Sequence, residues 1–463
     1  MPKDECTSPT TFSRSSSFES THAPTLPPIP APSSFSQSLD NRPGVMIIGA
    51  GLGGLLLGAL LERIGIRYHI FERASKLRPL GATMTLSSPI LPVFEQLGLL
   101  DEIIKFSYPC PQIDIYDADL SSLGSYKFHA MERLTGYPIR LFARPRLHEL
   151  LLRQIPPHKI SLGKKVLKID YAAMEKDKDS SAIIHCSDNT SYQWDMVVGA
   201  DGAYSGVRQS MYRHMNGQEK LPKQDQKSLL AGHITILGVT RPMDPEKYTQ
   251  LKNTTSATVS QTVYPDRTGC HVASLPGNQI SWAICVQLTP QEAKDQQFRN
   301  SEWVSDVNDA FIRRFRDRPC VWGGTMGDII DATPRELISK VYLEEKMFKT
   351  WYYKRTALLG DACHKTKKER FLRRILLGCV PQWVYDREFN KWLKYRPQLS
   401  WLPLIEKRGT GERLPVYSSW KFLLQQRQLE LEQQVLEKLK QQRLQQEREQ
   451  KQEQEQVIHR QWW

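Results

Sequence analysis

The stretch Gly49-Ala50-Gly51-Leu52-Gly53-Gly54 constrains this chain more than any other part of it. It stands between a strand-like apolar run, Val45 to Ile48, and a helix-like one, Leu55 to Ile64, so its spaced glycines fall where a strand must turn into a helix. Gly49 allows the tight turn, Gly51 lets backbone amides approach a pyrophosphate, and Gly54 lets helix and strand pack closely. The helix N-terminus adds partial positive charge. Eighteen residues after Gly54, at the end of a second strand-like run from Tyr68 to Phe71, stands Glu72. Its carboxylate suits both hydroxyls of an adenosine ribose and disfavours a 2′-phosphorylated nucleotide in the same place. No charge occurs from Val45 to Leu61, which raises the question of a membrane span. The glycines and Glu62-Arg63 leave the run short of the roughly 20 apolar residues that a span needs.

Two later motifs repeat the theme of a strand ending in glycine and a carboxylate. Gly199-Ala200-Asp201-Gly202-Ala203-Tyr204-Ser205-Gly206-Val207-Arg208 follows the strand-like Asp195 to Val198. Asp201 is placed to cap the next turn, and Ser205 and Arg208 are expected to project from it with no packing use. Thr356 to Leu359 then runs apolar into Gly360-Asp361-Ala362-Cys363-His364. Ligands of open α/β sheets bind at the carboxyl ends of strands, which is where these motifs fall. Between them, apolar runs such as Ile183 to Cys186, Met196 to Val198, His233 to Val239 and Ile280 to Val286 suit a mixed sheet.

With these motifs in this order, the chain resembles the group A flavoprotein monooxygenases, the aromatic-hydroxylase-like class, and especially their fungal secondary-metabolism branch. The resemblance covers about residues 43 to 364, and thinly 381 to 420. It implies FAD as cofactor and NAD(P)H as reductant. The implied activity is hydroxylation or epoxidation of a small hydrophobic terpenoid or aromatic substrate with O2. By the same resemblance Gly49, Gly51, Gly54 and Glu72 hold the ADP half of FAD, Gly81 and Ala82 lie in the loop near the flavin, and Arg144 opens a helix that contacts FAD. Asp201 and Arg208 match a motif linked both to FAD and to passing NADPH, with Arg208 as the candidate catalytic residue. Asp361 matches the residue that binds the ribityl chain. His364 resembles a family position but has no partner ligands in sequence, so no metal site is expected. After Asp361 the family pattern calls for a proline and a Gly-x-Gly that opens a helix; here no glycine follows until Gly378 and no proline until Pro381. Two other readings stay open: a flavin-linked dehydrogenase, and a non-catalytic FAD-binding relative that acts through its C-terminal helix.

The expected architecture is α/β: a Rossmann-like FAD-binding domain with an inserted mixed β-sheet substrate domain and a C-terminal polar helix. The boundaries read as a disordered Ser/Pro-rich tail over 1–42, the first part of the FAD-binding domain over 43–210 and the substrate domain over 211–345. A shortened return of the FAD-binding domain follows over 346–420, then a Gln/Glu-rich helix over 421–463 with a short apolar seam suited to weak self-association. The net charge of +13 does not mark a nucleic-acid face, because residues 365–420 alone carry 13 Lys and Arg against 5 Asp and Glu. That segment, with KTKKERFLRR at 365–374, leaves peripheral membrane contact open. Eight scattered cysteines without a CxxC pair and an N-terminus without an apolar signal run point to a cytoplasmic protein.

Overall fold

Along the first strand, Val45 and Ile47 face one apolar cluster and Met46 and Ile48 another, and all four are buried. A strand buried on both faces belongs in the middle of a covered parallel sheet. The computed structural model describes residues 44–77, 81–171, 181–226, 231–295, 308–344, 346, 348–363, 393, 396–406 and 408–411. All of these fall in the unit Pro43–Trp463. The Ser/Pro-rich tail, the family-divergent segment after Cys363 with its basic run, and the expected helix over 421–463 lie outside the described residues.

The central sheet has six strands in the order Tyr352–Tyr353, Thr356–Leu358, Met196–Gly199, Val45–Ile48, Tyr68–Phe71, Ile160–Ser161. Its pairings are parallel except the Tyr352–Tyr353 hairpin. The first strand therefore has its sequence neighbour on one side and a strand from far along the chain on the other, a topological switch point. Helices Leu52–Arg63 and Arg144–Leu152 cover one face through Leu55, Ala59, Leu147 and Leu151. Helix Gly206–Asn216 and a three-stranded antiparallel sheet (Val166–Tyr171, Ala182–Cys186, Ser191–Trp194) cover the other through Val207, Met211, Ile169 and Ile184.

A seven-stranded sheet forms the second layer, in the order Ser339–Glu344, Ala231–Val239, Gln279–Gln287, Thr268–Leu275, Val259–Val263, Gln112–Tyr116, Ser122–Lys127. Its last two strands come from before residue 210, joined by the parallel pairing Ser260 to Asp114. The sheet is thus wider than the segment 211–345, because pairing across the chain recruits two strands that precede the second motif. A three-stranded sheet (Thr83–Leu86, Arg140–Ala143, Tyr108–Pro109) bridges the layers. There the Thr83 hydroxyl lies 3.0 Å from the Ser281 hydroxyl. Residues 396–406 and 408–411 fold back onto the first layer. The Gln96 amide donates to Leu399 O at 3.0 Å, its oxygen accepts from Leu399 N at 2.7 Å, and Arg408 pairs with Glu95.

Candidate functional site

The strand ends are flush. Ile48 is in register with both Phe71 and Gly199, and Gly199 with Leu358. Glu72, the glycine turn, Ala200-Asp201 and Gly360-Asp361 therefore follow the carboxyl ends of four adjacent strands, although the sequence places the glycine turn and Asp361 more than three hundred residues apart. Strand pairing alone brings the three sequence motifs to one edge.

The glycine turn has the geometry its spacing suggests. Gly49 has φ +109°, and a Cβ there would stand 2.6 Å from the Ala200 carbonyl oxygen. At Gly54 a Cβ would fall 2.0 Å from the Gly49 carbonyl oxygen, so helix Leu52–Arg63 sits on the strand as closely as a bare backbone permits. The space beside Gly51 is empty to 4 Å, and no side chain caps the helix that it begins. That helix starts at Leu52, three residues earlier than the apolar run indicated, because Gly53 and Gly54 are tolerated in its first turn. The half-buried Glu72 carboxylate accepts N–H bonds from Ala50 at 2.8 Å and Ala74 at 2.9 Å. A carboxylate has about four lone-pair positions, so two remain for a diol.

Arg144 opens its helix beside Gly81, where a Cβ would lie 2.9 Å from the Arg144 side chain, and its N–H donates to Ala82 O at 2.8 Å. Burial pulls the guanidinium below its ordinary range, and the Asp361 carboxylate opposes that shift. Four residues on, and so on the same helix face, His148 places Nε2 2.9 Å from the Ala50 carbonyl oxygen. His148 lay outside the sequence-based set; its spacing from Arg144 was the only signal for it.

The second motif differs from expectation. Ser205 does not project: it is fully buried and caps helix Gly206–Asn216 by accepting from Arg208 N at 2.9 Å. Arg208 is also inside, 4% exposed, donating to Ala362 O at 2.8 Å and Ala203 O at 2.6 Å with its guanidinium 4.2 Å from the Phe348 ring centre. The positive charge pins the second motif to the third. Asp201 Oδ2 accepts from Val207 N at 3.2 Å, whereas Oδ1 is buried without a hydrogen-bond partner. Burial raises the Asp201 carboxyl above its ordinary value, against the hydrogen bonds from Ser205 and the helix amides.

These features fit a dinucleotide such as FAD. There is an open approach at Gly51, an uncapped helix N-terminus and a carboxylate at the ribose position, and one buried acceptor awaits a donor. Among the described residues no cluster of His, Cys, Asp and Glu could hold a metal. No described helix is long and apolar enough to cross a membrane.

Comparison with known proteins agrees with this geometry. Residues 42–367 match the family described as FAD binding domain. The FAD-dependent monooxygenase atmM of Aspergillus flavus is 28% identical over 328 residues, covering 69% of this chain and 64% of the relative. For ptmM of Penicillium ochrochloron the figures are 27% over 333 residues, 69% and 72%. The chain thus spans about two thirds or less of several such relatives. In fold it resembles 2,6-dihydroxypyridine-3-hydroxylase from Arthrobacter nicotinovorans, with a TM-score of 0.55, 15% identity, and 76% and 88% of the two chains covered. HpxO of Klebsiella pneumoniae, solved with FAD and uric acid, gives 0.53, 18%, 76% and 85%. With its glycine turn, strand-end carboxylates and this match over most of its length, the chain belongs to the FAD-binding domain family.

Proposed function

We propose that the protein is a FAD-dependent monooxygenase that uses NAD(P)H and O2 to hydroxylate or epoxidise a small hydrophobic terpenoid or aromatic substrate. The observation that carries this reading is the convergence of Glu72, Asp201 and Asp361 at the flush ends of adjacent strands, together with the names of the fungal relatives. Bound FAD supplies hydride acceptance from NAD(P)H and the activation of O2. The chain's own residues bind and orient. Glu72 accepts the ribose hydroxyls, the Gly51 turn and the helix N-terminus receive the diphosphate, and Gly81, Ala82 and Arg144 border the cofactor. Asp361 faces the ribityl chain, and Asp201 offers its unpartnered oxygen to a donor on the cofactor. Arg208, the candidate catalytic residue, is buried and serves this site by holding two of its turns together. The seven-stranded sheet forms the substrate side and excludes water there. A cytoplasmic location, peripheral membrane contact and weak self-association through residues 421–463 accompany this reading and are supported by sequence alone.

Purified protein is expected to carry FAD, to consume NAD(P)H faster with a hydrophobic substrate from a terpenoid and aromatic panel, and to place one atom of labelled O2 in the product. Glu72→Ala is expected to abolish FAD binding. Bound FAD that no nicotinamide reduces, or reduction without labelled product across the panel, would overturn the proposal.

A further inference from the structure

Two successive peptide groups of the glycine turn are held by side chains from two different elements, and only one of the holders is an expected residue. The Gly49–Ala50 peptide gives its N–H to Glu72 Oε2 at 2.8 Å. The next peptide, Ala50–Gly51, has its carbonyl 2.9 Å from His148 Nε2. A carbonyl only accepts, so Nε2 carries the proton. In a trans peptide C=O and N–H point in opposite directions. Fixing the Ala50 carbonyl toward His148 therefore fixes the Gly51 N–H the other way, at a residue where even an added Cβ would meet nothing within 4 Å. Ala50 is 2% exposed, whereas Gly51, which carries that amide, is partly exposed. The groups facing His148 are Arg144 on its own helix and Glu72 beyond the turn, and burial holds the imidazole toward its neutral, single-donor form.

We infer that His148 is a positioning residue for the cofactor: by donating Nε2–H to the Ala50 carbonyl it aims the Gly51 amide at the FAD diphosphate. This rests on the FAD reading of the site and adds to it a residue outside the glycine motif, supplied by the helix that Arg144 opens. His148 touches the loop and acts through it.

The test compares His148→Gln, whose side-chain amide can place an N–H donor where Nε2 stood, with His148→Met, of equal length and without a donor. Dissociation constants of FAD, ADP and riboflavin are measured on cofactor-stripped protein. The expected result is that His148→Met weakens FAD and ADP about tenfold each, leaves riboflavin unchanged, and that His148→Gln stays within about threefold of wild type. FAD binding by His148→Met at wild-type strength, or equal losses in both variants, would overturn the inference. If His148→Met does not fold, the shorter pair His148→Asn and His148→Leu is compared by the same criterion. Wild-type protein that binds neither FAD nor ADP would instead refute the FAD reading.

Discussion

Alanine placed in turn at Gly51, Gly53 and Gly54 separates stability from binding within four residues of chain. Gly54 lies in a helix, where alanine is better than glycine by about 1 kcal/mol in the absence of contacts. The new Cβ would sit 2.0 Å from the Gly49 carbonyl oxygen and 3.3 Å from Ile47, and a backbone oxygen at the end of a central strand cannot swing away. Overpacking of that kind costs about 3 kcal/mol, which leaves Gly54→Ala about 2 kcal/mol less stable than wild type. Gly51 is extended, at φ −75°, with nothing within 4 Å, so alanine fits. Its poorer fit as a helix cap and its smaller unfolded-state entropy offset each other to within about 0.5 kcal/mol. Its methyl group, however, occupies the approach of the diphosphate, and FAD affinity should fall tenfold or more, about 1.4 kcal/mol. At Gly53 the methyl group would meet the Leu359 side chain at an ordinary 3.6 Å, so both stability and FAD affinity should hold. Urea unfolding of the cofactor-free variants and quenching of flavin fluorescence on titration read the two effects separately. Gly54→Ala as stable as wild type, or Gly51→Ala with unaltered FAD affinity, would refute the reasoning.

Replacement of Arg208 by Met leaves the Ala203 and Ala362 carbonyls without their guanidinium and should cost about 3 kcal/mol in urea unfolding. Arg208→Lys should recover little of this, because one ammonium cannot span both oxygens. Asp201 sets a pH dependence. Its folded carboxyl titrates above the ordinary 3.8, so the stability it allows is complete below that value and is lost as pH rises through the raised one. Asp201→Asn should flatten this part of the apoprotein's stability profile, and an unchanged slope would count against the burial argument. Burial pushes the thiols of Cys110 and Cys320 up to about 11 and that of Cys270 to about 12. Folded protein treated with a thiol reagent at pH 8 should leave these three unmodified in peptide mapping, whereas all eight cysteines react in urea.

What the sequence revealed follows from how locally each signal is written. The strands Val45–Ile48 and Tyr68–Phe71 were readable to the residue because apolar runs end abruptly at glycine or at Glu72. The sheet layer was not bounded correctly. Ser122–Lys127 reads SLGSYK with three exposed residues at its start, and its neighbour Gln112–Tyr116 joins Val259–Val263 by a parallel pairing that no local pattern encodes. Arg208 was misplaced because a charged side chain is ordinarily a surface one, and only the fold supplies the two carbonyls and the ring that let it be buried. His148 is one histidine among eleven in the chain, and its meaning depends on a carbonyl almost a hundred residues away.

The bridge from Arg208 to Ala362 also bears on the order in which the molecule assembles. Thr356–Leu358 is the outer neighbour of Met196–Gly199, paired parallel to it. During synthesis the glycine turn and Glu72 emerge early, but the Gly360-Asp361 turn joins them only after residue 362 has left the ribosome and the guanidinium closes on it. Closure over so long a stretch of intervening chain is slow compared with local folding. On the FAD reading proposed above, cofactor capture is therefore expected late, as a report that the distant halves of this layer have met.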